Sequence, residues 1–263
     1  MMGMKIFVMT DMEGVSGIHT MQQVKKEFPA DYAYGQRCLI REINFAVDAL
    51  FSLGADEVVV QDGHMGGGNI TLADMDGRAR YEPAYTPSLN ALDETFDGVV
   101  LLGFHPKAGT LNGFLDHTMN SMEWFRYTVD GLEVGEIGLL ALRAGARGVP
   151  ILAMIGDQKA VEEAQVLLGA DQVACASVKR GIGRNWADCL PIAQAQQAIR
   201  EALAKGLSLI GKARPYTRPL PARAELTFYR SDFADRYNGR PDWERVDGRT
   251  VRKTLRSFAE SMW

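Results

Sequence analysis

Cysteine is scarce in this 263-residue chain. Only Cys38, Cys175 and Cys189 occur, far apart and with no C-x-x-C pair. That argues against a disulfide framework and a closed zinc–thiolate site, and it fits a reducing cytoplasm. Long apolar runs are missing too: none approaches the ~20 residues needed to cross a bilayer. The opening MMGMKIFVM has one lysine and a short apolar run, so it reads as a first strand and not as a signal peptide. Excess charge is also absent. Lys and Arg number 29 against 33 Asp and Glu, a net charge of −4. No basic face for nucleic acid or an anionic membrane is expected from that balance. Finally, no G-x-G-x-x-G follows the first apolar run, which disfavours a plain dinucleotide-binding domain.

What the chain does have is alternation. Apolar runs read as strands at KIFVMTD, DEVVVQDGH, FDGVVLLGFH, VPILAMIGD and DQVACASVKRG. Between them, GQRCLIREINFAVDALFSLG, VGEIGLLALRAGARG and QKAVEEAQVLLG carry helical spacing. Strands alternating with helices predict an α/β fold, a mostly parallel sheet covered by helices on both faces. A further helix is expected at PIAQAQQAIREALAKGLSLIGKA, then a proline-rich connector, RPYTRPLPA. The tail holds a strand candidate, AELTFYR, and a predicted final helix, TVRKTLRSFAESMW. The expected organisation is a catalytic α/β domain over residues 1–191, and a C-terminal helix with a smaller α+β lobe over 192–263.

Chemistry collects where strands are predicted to end, which is where open α/β sheets bind ligands. The first predicted strand ends in Asp11 and Glu13, the second in Asp62 and His64, and the third in His105. In an extended chain, residues i and i+2 point to one side, so each pair can face a common point. Two uncompensated carboxylates there would repel and lose solvation, and a cation between them resolves both costs. The chain has four histidines, and His64 and His105 sit at these strand ends. Each residue alone has an ordinary alternative, since an acid at a strand end is commonly a helix cap. The conjunction is what points to a metal site.

The segments TDMEGVSGI, VVVQDGHMGG, LLGFHPKAGTLNGFLDHTM and EVGEIGLLALRAG, found together and in order, resemble the zinc-dependent D-aminopeptidases of bacterial dipeptide-transport operons. The resemblance covers roughly residues 4–191 and continues faintly into the tail. It implies two Zn²⁺ per chain. Asp11 would bridge them, Glu13 and His64 would complete one site, and His105 and Glu136 the other. His117, in DHTM, would be catalytic and not a ligand. Only the resemblance selects Glu136, because an acid near a helix start also suits the helix dipole. His19 matches no element of the family. The resemblance further implies a homodecamer around a central chamber. It is also the sole source of the expected D-amino-acid preference.

The residue types agree with such a centre. Two imidazoles and three carboxylates suit Zn²⁺ and would also accept Mn²⁺ or Co²⁺. The expected reaction on a small peptide is attack of a metal-bridged hydroxide at the carbonyl, with His117 moving the proton. Two alternatives stay open: another metal-dependent amide or ester hydrolase, and a non-catalytic α/β protein holding a structural cation. Asp62 could orient His64 or serve as a turn residue. Asp157 is expected to cap the following helix. Lys179, Arg180 and Arg184 could hold a substrate carboxylate or form a solvated basic loop.

Overall fold

Strand β1 (Lys5–Thr10) sends Ile6 and Val8 to one face and Phe7 and Met9 to the other, and both faces are buried. Burial on both sides is why the run is apolar throughout rather than alternating. Helix α1 (Pro29–Ser52) starts with proline in its first turn and buries the stripe Leu39, Ile43, Val47 and Leu50. Strands β2 (Glu57–Asp62), β3 (Arg80–Glu82) and β4 (Gly98–Phe104) follow. The computed structural model describes residues 3–82 and 91–258.

Next come β5 (Trp124–Val129) and β6 (Leu132–Glu133), a hairpin closed by Asp130 and Gly131 at φ 50° and 78°. Two positive φ values make the primed turn that matches the strand twist. Helix α2 (Glu136–Gly145), β7 (Ile151–Asp157), α3 (Gln158–Leu168), β8 (Ala174–Gly183), β9 (Trp186–Cys189) and α4 (Ile192–Leu207) complete the central portion. The tail supplies β10 (Ala222–Phe228), the short α5 (Ser231–Asp235), β11 (Glu244–Arg245) and β12 (Thr250–Leu255).

The strands form two sheets. The larger has the order β3-β2-β1-β4-β7-β8-β9 and is parallel except for its last strand. Its core on one face is shared with α1 and α4, and on the other with α2 and α3. The smaller sheet, β11-β12-β10-β5-β6, is antiparallel throughout. The mostly parallel sheet with helices on both faces, plus a smaller lobe, is thus the observed fold class. Helix α2 serves both sheets: Ile137, Leu140 and Ala141 pack into the large-sheet core, Leu139 and Leu142 into the small-sheet core. A helix apolar on all sides is one buried on all sides.

One expectation needs correction. The segment read as a final helix forms β12 over Thr250–Leu255 instead, and its last residues, 259–263, lie outside those described. Pairing with β10, including Thr227 Oγ1 to Thr250 Oγ1 at 3.1 Å, overrides the helical tendency of its lysine and arginines. Within the fold, β5 and β6 join the small sheet, while α4 packs on the large one. No helix among the described residues is long and apolar enough to cross a membrane.

Candidate metal centre

Strand order explains why the site forms. β1 lies between β2 and β4, so the residues after these three strands emerge side by side. The chain leaves β1 in a tight turn, with Asp11 N–H donating to Leu102 O and Gly14 N–H to Gly103 O. A side chain at position 14 would run into Phe104 O at 2.1 Å, so glycine is required for this approach. Met12 turns into the core at 0% exposure, which leaves Asp11 and Glu13 to face the strand ends together. They do so from a turn and not from an extended strand.

Because β1 is central, Asp11 reaches both ways. Its Oδ1 lies 3.2 Å from His64 Nδ1 and its Oδ2 lies 3.2 Å from His105 Nε2. Glu13 Oε2 is 3.0 Å from His64 Nδ1. Glu136, the first residue of α2, places Oε1 3.5 Å from both His105 Nε2 and His117 Nε2. The same Oε1 accepts the Met119 N–H at 2.8 Å. The rings of His105 and His117 stack with centroids 3.9 Å apart. All six residues singled out in the sequence therefore converge on one place. His19 is exposed and stands outside the cluster, its Nδ1 on Gly17 O.

Each imidazole is aimed by a backbone carbonyl. His64 Nε2 donates to Val24 O, His105 Nδ1 to Pro106 O and His117 Nδ1 to Leu115 O, at 3.0, 2.9 and 2.8 Å. Fixing one nitrogen this way leaves the other pointed into the cluster with its lone pair when the ring is neutral. Asp62 contributes indirectly. Its carboxylate accepts from the Asn69 N–H and Nδ2, and Asn69 Nδ2 also donates to His64 O. Tyr32 closes that network on Asn69 Oδ1. Asn69 and Tyr32 carried no sequence signal, because a network between distant segments has no fixed spacing.

The donor set is that of a cation site. Asp11 Oδ2, Glu13 Oε2 and His105 Nε2 are buried without a hydrogen-bond partner. Asp11 Oδ2 and His105 Nε2 are close yet not oriented as donor and acceptor, the arrangement expected of ligands facing a shared ion. Burial opposes charge on His64 and His105, but Glu13 and Asp11 beside the first, and Glu136 and Asp11 beside the second, override it. Both imidazoles are held well above their ordinary range. Burial likewise opposes ionisation of Asp11, and His105 and His64 pull its carboxyl well below the usual range. The carboxylates demand positive charge here, which protons supply when metal does not. Two trios meet a common-point test: Asp11, Glu13 and His105, and His105, His117 and Glu136, with ligand atoms within 4.8 Å of one another.

The D-aminopeptidase family model matches residues 4–263, nearly the whole chain. The chain belongs to the D-aminopeptidase family. A D-aminopeptidase of Bacillus subtilis (strain 168) is 30% identical over 251 residues, 94% of this chain and 90% of that protein. Among solved structures, the Zn-dependent D-aminopeptidase DppA from Bacillus subtilis, described as a self-compartmentalizing protease, superimposes with a TM-score of 0.92. That match is at 29% identity and covers 98% of this chain and 94% of the other. Family membership makes this chain a hydrolase of the metallo-aminopeptidase class.

For a D-aminopeptidase family member the surrounding cavity, about 680 Å³, is of a size for a small ligand. Asp11, Glu13, His64, His117 and Glu136 line it, and Met9, Met21, Met65, Met119 and Met122 supply much of its apolar wall. Methionine is adaptable and polarizable, which suits a wall that meets varied side chains. The basic residues of β8 and its turn part company. Lys179 is buried and donates to Glu13 O and Ile18 O, both at 2.6 Å, so it is neither a solvated cation nor a cavity residue. Arg180 is exposed and pairs with Asp188. Asp157 caps α3, accepting the Lys159 N–H.

Proposed function

We propose that the protein is a binuclear zinc aminopeptidase. It removes residues from the free N-terminus of short peptides, with preference for D-amino acids. Asp11 would bridge two ions, Glu13 and His64 would complete one and His105 and Glu136 the other. The observation that carries this reading is the set of three buried atoms, Asp11 Oδ2, Glu13 Oε2 and His105 Nε2, that lie close together without a hydrogen bond. The D-preference is supported by family membership alone.

Zinc, when bound, supplies a Lewis acid for the peptide carbonyl and acidifies a coordinated water toward neutrality. The chain's own residues do the rest. Leu115 O holds His117 Nδ1, so Nε2 is the atom that takes or delivers a proton. Glu136 Oε1, 3.5 Å away, stabilises His117 when it carries that proton. The self-compartmentalizing relative supports a homo-oligomer, with a decamer as the assembly the family resemblance favours. A cytoplasmic location suits the free cysteines.

A second role for His117 has its own support, since it also meets the common-point test with His105 and Glu136. One variant separates the two. His117→Ala is expected to retain two zinc ions per chain, measured by elemental analysis, while losing turnover of D-Ala-D-Ala. Loss of an ion would make His117 a ligand. Wild-type protein should cleave D-Ala-D-Ala faster than L-Ala-L-Ala and stop when chelated. Cleavage that survives chelation would sink the metal mechanism, and strict L-preference would sink the substrate assignment.

A further inference from the structure

The cavity wall carries cations that the hydrolytic chemistry does not use. Arg184 is the cavity-lining one among the three basic residues of the Lys179–Arg184 stretch; Lys179 is committed to backbone carbonyls and Arg180 faces Asp188. Arg184 is fastened to the segment that bears His117. Its carbonyl accepts the Leu115 N–H at 2.7 Å. Its Nε lies 3.5 Å from Asp116 Oδ1, and Asp116 Oδ2 is occupied by the Gly109 N–H at 2.6 Å. Among the described residues the guanidinium has no other ion pair or hydrogen bond, so its two terminal nitrogens are uncommitted. The side chain is 44% exposed, and an ion pair at that exposure is readily rearranged.

Direction along the substrate follows from His117. On the aminopeptidase reading, on which this inference rests, His117 delivers a proton to the leaving amine. The residue released from the C-terminal side of the cut bond then lies toward His117, which is the side of Arg184. In a dipeptide that residue ends in a free carboxylate. A guanidinium presents two parallel N–H donors that match a carboxylate, and it is charged at every working pH. Of the other lining cations, Arg143 is fully buried on α2, and Lys25 follows Val24, whose carbonyl holds His64, so it flanks the opposite end of the cluster. We propose that Arg184 binds the terminal carboxylate of the leaving residue and so selects dipeptides with a free C-terminus.

The test compares D-Ala-D-Ala with D-Ala-D-Ala amide, which keeps the amine and the cut bond but lacks the carboxylate. Zinc-loaded wild type is expected to favour the acid by about tenfold in kcat/KM, carried in KM, as loss of one partly exposed charge contact implies. Arg184→Gln should bring that ratio toward equality, and Arg184→Lys should restore part of it. Binding gives a second readout. In the non-turning-over His117→Gln background, equilibrium dialysis should show the acid binding more tightly than the amide, and Arg184→Gln should abolish the difference. Equal handling of acid and amide by wild type, or an unchanged ratio in Arg184→Gln, overturns the carboxylate role and leaves the aminopeptidase reading standing. Failure of zinc-loaded wild type to cleave either compound overturns that reading instead, and the dialysis comparison then decides Arg184 by itself.

Discussion

At the residue scale, two acids separated by a single methionine do different work. Asp11 touches the His64 and His105 sides of the cluster through separate oxygens, whereas Glu13 meets only His64. On the binuclear proposal, Asp11→Ala should therefore weaken both zinc sites and Glu13→Ala mainly one, a difference visible in metal stoichiometry under limiting chelator. Lys179 makes a separate prediction. Burial pushes its ammonium down to about 8, yet it holds the carbonyls of Glu13 and Ile18, with Glu42 and Asp157 among the acids nearby. Lys179→Met leaves those carbonyls without their donor and should cost about 3 kcal/mol in urea unfolding. The candidate site was legible because most of its acids and histidines stand at strand ends, a pattern visible in one dimension. Lys179 was not, since a lysine in VKRG looks the same whether it faces water or two carbonyls. Glu136 stood between: only family resemblance separated it from an ordinary first-turn acid.

At the element scale, the apolar runs announced the five main strands of the large sheet, because burial on both faces leaves a strong signal. The short strands had none. The Asp130-Gly131 dipeptide does carry a hairpin signal, but strand–helix alternation around it obscured β5 and β6. β12 was misread because its half-buried basic residues suit a helix, and only its partner β10 decides otherwise. Helix α3 offers a pH test. Burial raises the Glu163 carboxyl from 4.5 to about 7, against the Lys107 N–H that it accepts. Between those values the folded protein holds a proton that the unfolded chain has lost, so this group makes stability fall as pH rises from 4.5 to about 7. In chelated protein, Glu163→Gln should flatten that part of the stability–pH curve, measured by denaturant melts across the range.

At the scale of the whole molecule, the proposed centre gathers side chains that follow β1, β2 and β4 with one from α2, and α2 is packed into both sheet cores. Zinc should then stabilise the molecule as a unit. At about a hundred times its Kd it would add ~2.7 kcal/mol. Chelation should lower Tm, with tryptophan fluorescence and far-UV signals still moving together; separate transitions would show that α2 does not couple the sheets. The edges of those sheets set a further condition. Among the described residues, the large sheet ends in β3 and β9 and the small sheet in β11 and β6, strands of two to four residues. Such brief margins offer a neighbouring copy almost no backbone to zip onto. A ring or shell built from this subunit should therefore be joined at β6, β9 and β11 by side-chain patches, like bricks set in mortar rather than cloth sewn at the hem, and surface substitutions within those patches should loosen it.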